Sequence, residues 1–333
     1  MRMRLATVTA ILVLLTTTVG AWAQGSGVIE GQVFNGSSGR VPLEGVPVTL
    51  WVFTSQGAES SLETTTDTEG RFRFEDLDTE GYAYQFEVEY VGVQYGSEVV
   101  AFPEGENLIS IPFTVFESTT SDEDLSVERT HLIFDFEPGT IQVQEVQIFF
   151  NAGNTTYVGS TGEEGGTTVH FTLPEGASDV ELMEGLMECC VVETDTGFAS
   201  TRPIFPGPKQ FVFTYELRHQ AATFDLLREI AYPIGSLDVL VADVGVEVEA
   251  SGLTSQESLS FEGGEYLHLT AQDLTSADEV ALRFASLPLE IAPTESPATA
   301  PPVATWAVVG LAILAVFVAL AYPFFKRSRE EKG

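Results

Sequence analysis

Basic residues are the scarcest resource of this chain: 15 Lys and Arg stand against 49 Asp and Glu in 333 residues. Six of those basic residues, Arg2, Arg4, Lys326, Arg327, Arg329 and Lys332, sit at the two ends together with the acids Glu330 and Glu331. Between the ends remain nine basic and 47 acidic residues, a net charge of −38. A field of that sign repels polyanions, which excludes nucleic acid and anionic lipid headgroups as partners of the central region and leaves basic macromolecules or cations. Acidity of this kind can also serve as a solvating surface or an adaptation to salt. Cysteine is nearly absent. The only two are adjacent, Cys189 and Cys190, and neighbouring Cα atoms about 3.8 Å apart lie below the usual disulfide span of roughly 4.4–6.8 Å, so no disulfide framework holds the fold. Histidine is equally thin, with His131, His170, His219 and His268 far apart and no H-E-x-x-H or H-x-x-E spacing for zinc. No G-x-S-x-G nucleophile elbow, phosphate-cradling glycine loop or D-x-D-x-D-G calcium loop occurs either. The expectation is a protein with no catalytic residues and no cofactor.

Long helical periodicity is missing from the interior, yet both ends carry long apolar runs. Residues 1–23 start with Arg2 and Arg4, continue apolar from Leu5 to Val19 and close on Ala21-Trp22-Ala23, the order of a signal peptide with a small-x-small cleavage site. From Val303 to Phe325 there is no charge, enough residues to cross about 30 Å of hydrocarbon as a helix. Trp306 and Tyr322 lie near its two ends and Lys326, Arg327 and Arg329 follow it, so residues 303–325 are predicted as a transmembrane helix with the basic tail 326–333 in the cytoplasm. Leu287-Pro288-Leu289-Glu290-Ile291 lacks the Thr and Gly of a wall-sorting pentapeptide, so the helix is expected to stay. These readings predict a single-pass protein of the cell membrane with its N-terminus outside, and residues 291–302, rich in Pro, Ala and Thr, as an extended spacer.

The interior reads as all-β. The chain is 44% hydrophobic and 11% aromatic, ample for a core. Apolar residues recur with period two in short runs bounded by Gly, Pro, Asp and Asn, as in Val46, Val48, Leu50 and Val52, or Phe86, Val88 and Tyr90. Residues 25–116 contain Gly27-Val28-Ile29-Glu30-Gly31-Gln32-Val33, then Pro42-Leu43-Glu44-Gly45-Val46-Pro47-Val48-Thr49-Leu50, then Thr66-Asp67-Thr68-Glu69-Gly70-Arg71-Phe72-Arg73-Phe74. In the last element Asp67 can turn the chain through its own backbone, Gly70 supplies a positive φ, and Phe72 and Phe74 share one face of the next strand. The whole stretch resembles the carboxypeptidase regulatory-like family, and the resemblance implies a transthyretin-like seven-stranded β-sandwich. In metallocarboxypeptidases the related domain accompanies a zinc peptidase, whose motifs are absent here. Related pilin and adhesin sandwiches carry a Lys to Asn crosslink, but the three lysines here, Lys209, Lys326 and Lys332, all lie outside residues 25–116.

Residues 117–124, with Asp122-Glu123-Asp124, read as an acidic linker to a second sandwich over 125–290, or to two if the chain divides at the Pro-rich loop 203–208. The fold class expected is therefore all-β, with two or three antiparallel β-sandwiches and one C-terminal transmembrane helix. Strands are expected at 167–173, 209–217, 236–242, 244–249, 265–270 and 279–287. Apolar parity changes between Ile141-Val143 and Val146-Ile148-Phe150, which predicts a β-bulge at Gln144-Glu145. His170 and His268 alternate with apolar neighbours and are expected to face water. Met183, Met187, Cys189 and Cys190 form the one group of soft ligands, suited to Cu(I) only if the backbone turns, because adjacent strand residues point opposite ways. Trp51, Tyr82, Tyr84, Tyr90 and Tyr95 are dense for one small sandwich, and Trp51, Tyr82 and Tyr84 are the candidates for stacking a sugar ring. The leading expectation is a non-catalytic structural, adhesive or assembly module whose partner is another envelope protein. A carbohydrate-binding module that takes a cell-surface glycan is the alternative, and a copper-handling protein the third.

Overall fold

The computed structural model describes residues 26–159, 166–261, 264–275 and 277–290. The signal peptide, spacer, transmembrane helix and basic tail expected at residues 1–23 and 291–333 lie outside these. Among the described residues no helix is long and apolar enough to cross a membrane. Most of them are in strands, most paired antiparallel, and the only helical element among the described residues is one 3-10 turn. The described residues divide into two compact units, one holding residues 26–90 and Gln94–Val115, the other Val91–Val93 and the described residues from Phe116 to Glu290.

The first unit is a sandwich of two four-stranded sheets. Its strands are β1 (Gly27–Asn35), β2 (Val41–Pro42), β3 (Pro47–Thr54), β4 (Gly57–Thr65), β5 (Arg71–Leu77), β6 (Ala83–Tyr90), β7 (Val93–Gly96) and β8 (Leu108–Val115). One sheet joins β2, β1 and β5, with β8 parallel to β1, and the other runs β4-β3-β6-β7. Strict alternation builds the interior: Val48, Leu50, Val52, Phe86 and Val88 are buried from one sheet, Ile29, Val33, Phe72 and Phe74 from the other. Phe72 meets Phe86 at 5.4 Å between ring centroids, and Phe113 meets Phe86 edge-on at 4.9 Å.

The turn before β5 forms as its residues dictate. Asp67 Oδ1 accepts hydrogen bonds from the Glu69 and Arg71 amides, both at 2.8 Å, and Gly70 takes φ +74°. A Cβ at Gly70 would meet the Val33 carbonyl oxygen at 2.7 Å. Gly70→Ala combines that clash with a left-handed backbone, and it should destabilise this unit by about 1–3 kcal/mol. Hydrogen exchange at the β1 and β5 amides measures it, and unchanged protection would refute the assignment.

The second unit is larger. Its strands run β9 (Ser118–Thr119), β10 (Leu125–Glu137), β11 (Thr140–Asn151), β12 (Thr156–Tyr157), β13 (Val169–Thr172), β14 (Ala177–Leu182), β15 (Val191–Thr194), β16 (Gly197–Ser200) and β17 (Gly207–Arg218). They continue with β18 (Thr223–Glu229), β19 (Ile234–Ala242), β20 (Glu247–Ser251), β21 (Thr254–Ser255), β22 (Leu259–Phe261), β23 (Gly264–Leu274) and β24 (Glu279–Ala285). A broad sheet ordered β14-β17-β11-β10-β19-β23-β21, with β22 on β23, turns one face toward the small sheets β13-β16-β15 and β18-β24-β20. Phe171 is a hub of that core, with Phe149, Phe198, Phe211 and Phe213 at centroid distances of 5.9, 4.9, 5.2 and 5.4 Å.

Several sequence expectations change here. Residues 117–124 are not a free connector, since β9 pairs in parallel with β12 and the Thr156 amide bonds the Glu117 carbonyl at 2.8 Å. The loop 203–208 is no boundary between sandwiches: Ile204 is buried in the core, and β11 and β17, on its two sides, pair along their full lengths. Pairing is not wholly antiparallel, because β1 with β8 and β10 with β19 are joined through long crossovers that bring the strands together in parallel. Residues 244–246 form a turn, with Gly245 at φ +88°, and the strand begins only at Glu247.

The β-bulge expected at Gln144-Glu145 is absent. The register of β11 runs unbroken from Thr140 to Ile148 against β10, and the irregularity falls instead at Glu128, between Val127 and Arg129. Ile141, Val143, Glu145, Gln147 and Phe149 therefore stay on one face, and it is the core face. Val146 lies on the other, where it is also fully buried. The apolar parity changes because two polar side chains point inward, not because the strand gains a residue.

Candidate functional site

Glu145 is the most deeply buried charged residue described, with 0% exposure. It stands at the centre of the broad sheet, opposite Leu132 on β10 and Phe213 on β17. An isolated carboxylate there would carry a heavy desolvation cost, and three side chains offset it. Arg228, projecting from β18 in the facing sheet, places Nη2 2.9 Å from Oε2; Gln147 Nε2 donates to the same oxygen at 3.0 Å; and the Tyr215 hydroxyl donates to Oε1 at 2.9 Å. The other guanidinium nitrogen of Arg228 bonds the carbonyl of Thr172, and its hydroxyl at 3.2 Å. Burial, with the Glu145 charge beside it, drives the Tyr215 phenol well above its ordinary range, so it stays a donor at all physiological pH. A cavity of about 20 Å³, room for one water, adjoins this cluster between Thr130, Gln147, Thr172, Arg228 and Tyr232. Every charge is answered inside the fold, and the chemistry available is that of a brace between two sheets.

On the opposite face of the broad sheet a second polar group forms. Asp238 Oδ1 is 2.8 Å from His268 Nε2, and its Oδ2 is 3.6 Å from His131 Nδ1. His268 therefore points away from the core as its alternation predicts, yet it is not a free surface histidine, because Asp238 from β19 claims it. His170 is exposed, as expected. Burial holds His131 down at about 4, against the pull of Asp238 and with the help of Arg129 and His268. Nearby, burial raises the Asp135 carboxyl, which accepts a hydrogen bond from the Tyr266 hydroxyl at 3.1 Å. Among the described residues no three His, Cys, Asp or Glu side chains are grouped to hold a metal.

The aromatic candidates of the first unit separate. Tyr84 is a core residue, 1% exposed: its hydroxyl donates to the Asp78 carbonyl at 2.7 Å, its ring meets Phe102 at 5.7 Å, and burial pushes its phenol up to about 12. It cannot stack a sugar, and Tyr95 is buried likewise. Tyr82 is half-buried in the turn before β6, and Tyr90 is half-buried with its hydroxyl bonded by Asn35 Nδ2 at 3.1 Å. Trp51 alone turns out to solvent, 37% exposed, because it falls on the outward parity of β3. Ser61 of β4 and Gln85 of β6 flank it in register, and Thr49, Glu63 and Glu87 form the next row. The result is one partly exposed indole among hydroxyl, amide and carboxylate side chains.

The soft-ligand group also differs from expectation. Met183 is half-buried and Met187 is exposed, with Arg202 Nη1 3.1 Å from its sulfur, while Leu186 supplies the buried contact of this segment. Cys189 and Cys190 are not on a strand. They sit in the 3-10 turn Glu188–Cys190, which brings their sulfurs to 2.6 Å instead of sending them to opposite faces. The contact with Cys189 raises the Cys190 thiol.

Sequence reasoning missed Glu145, Arg228 and Tyr215 as a unit. The available signal was the plain alternation Ile141, Val143, Glu145, Gln147, Phe149, which puts the acid inside without any bulge.

No protein-family model matches this sequence. No curated protein matches it either. Solved structures that match include a candidate carbohydrate-binding protein from Pseudomonas aeruginosa, at 16% identity over 27% of this chain and 89% of that one, with a TM-score of 0.19. The full-length major pilin SpaD from Corynebacterium diphtheriae matches at 11% identity over 74% and 81%, TM-score 0.23. An M1 zinc metallopeptidase from Deinococcus radiodurans matches at 14% identity over 50% and 43%, TM-score 0.30. With identities of 11–16% and TM-scores of 0.19–0.30, these matches assign no function to the chain.

Proposed function

We propose that this chain is a non-catalytic, membrane-held module that presents a braced β-sandwich surface to another macromolecule of the cell envelope. The observation behind this reading is the internal pairing of the Glu145 cluster: the strongest ionic constellation described is spent on joining two sheets, and the cavity beside it has room for about one water. The acidic surface, net −38 between the two apolar ends, then steers the choice of partner toward basic or cation-bridged proteins. The anchoring is the one read from the apolar run 303–325. The test is binding of the full chain in detergent to envelope proteins at low and high salt. Association with a basic partner should slow at least tenfold between about 50 mM and 500 mM salt, as screening removes the steering. A partner bound with no salt dependence would count against this reading.

Exposed Trp51 among its polar neighbours favours a second reading, a glycan-binding module. In that case binding on a glycan array would be insensitive to salt, and Trp51→Ala would abolish it while leaving the fold intact, because an exposed indole contributes little to the core. That outcome would replace the protein-partner reading.

A further inference from the structure

We propose that Cys189 and Cys190 form a vicinal dithiol site that closes to an intramolecular disulfide ring by exchange with a small-molecule disulfide. The sulfurs stand 2.6 Å apart, inside the roughly 3.5–4.0 Å of ordinary non-bonded heavy-atom contact and approaching the about 2.05 Å of a covalent bridge. Neither thiol is buried: Cys189 is exposed and Cys190 partly so. The chain has no third cysteine, so each has only the other as an intramolecular partner.

The backbone holds the pair in this arrangement. The Cys190 amide bonds the Met187 carbonyl at 2.9 Å to close the turn. The Cys190 carbonyl accepts from the Thr201 amide at 2.9 Å and from its hydroxyl at 3.2 Å, pinning the turn to the segment that follows β16. Convergence of the sulfurs is thus prepared by the fold, and ring closure requires little further ordering.

The exchange balances in two steps. The thiolate of the more exposed Cys189 attacks one sulfur of the external disulfide RS–SR, forming a mixed disulfide and expelling RS⁻. Deprotonated Cys190 then attacks Cys189 Sγ, the mixed bond breaks, and a second RS⁻ leaves. Two protein thiols are oxidised, one external disulfide is reduced to two thiols, and both protein protons pass to the leaving groups. Adjacent Cα atoms lie closer than the usual disulfide span, so the ring belongs to the strained, readily reduced class rather than to structural bridges. This site is independent of the partner and glycan readings above.

The test uses the full-length chain in detergent, equilibrated with oxidised glutathione and followed by intact mass, thiol titration and non-reducing electrophoresis. The expected product is a monomer about 2 Da lighter with no free thiol and no bound glutathione, restored to two thiols by dithiothreitol. Cys189→Ser and Cys190→Ser should each keep a stable glutathione adduct on the remaining sulfur, because the resolving partner is gone. A persistent adduct on the unsubstituted protein, a disulfide-linked dimer, or two thiols remaining after equilibration would each overturn the proposal.

Discussion

Arg228→Met should destabilise the second unit by about 3–5 kcal/mol, because it breaks a buried ion pair between two sheets. The guanidinium spans the two sheets, bonding Glu145 on one side and Thr172 on the other. Its removal leaves Glu145, with 0% exposure, as a buried carboxylate held only by the neutral donors Tyr215 and Gln147. The penalty is that of an uncompensated charge more than of a lost attraction, and a double variant distinguishes the two. Replacing Glu145 with Met in the same protein removes the charge as well, so Glu145→Met with Arg228→Met should recover most of the stability, within about 1–2 kcal/mol of the parent. Hydrogen exchange at the β10, β11 and β17 amides reports the unit directly. An Arg228→Met cost below about 1 kcal/mol would mean that water reaches Glu145, contrary to the burial described.

The second large effect is a pH dependence carried by His131. Its native value of about 4 lies below the ordinary 6.5 because the ring is buried, with Arg129 and His268 adding to the effect and Asp238 opposing it. The unfolded chain therefore takes up a proton on this ring near pH 6.5, while the native chain does so only near pH 4. Stability from this site is complete above pH 6.5 and is lost progressively as pH falls toward 4, on the order of 3 kcal/mol in total. Asp135 on the same face works the other way, since burial raises its carboxyl and protonation suits the native state. The difference between the parent and His131→Gln isolates the histidine: between pH 7.5 and 4.5 the variant should lose distinctly less stability. Equal losses in both proteins would show that His131 is charged in the native fold.

Most of the fold was legible because a strand has a period of two and its turns have chemical signatures. Asp67, Gly70, Phe72 and Phe74 take up their expected roles from local rules alone, the side-chain turn, the positive φ and the alternation each acting within a few residues. The same local logic failed wherever a residue's partner is distant in sequence. Glu145 is 83 residues from Arg228 and 70 from Tyr215, so its inward direction reads as an error of parity until the second sheet is in place. Tyr84 and Trp51 lie on adjacent strands of one sheet and look alike as aromatics. Parity sends Tyr84 inward and Trp51 outward, and only the pairing of β3 with β6 fixes which parity is which.

The sequence by itself determined the β class, the turns, the acidity and the expectation of a signal peptide at one end and a membrane-spanning run at the other, because each follows from composition or from neighbours along the chain. Tertiary structure alone decided that an acid belongs in the core, that Asp238 claims His268, and that one aromatic of five turns its face to solvent. It also decided that Cys189 and Cys190 converge. Adjacent side chains diverge on a strand, and the turn that unites them is held by Thr201 from beyond the next hairpin.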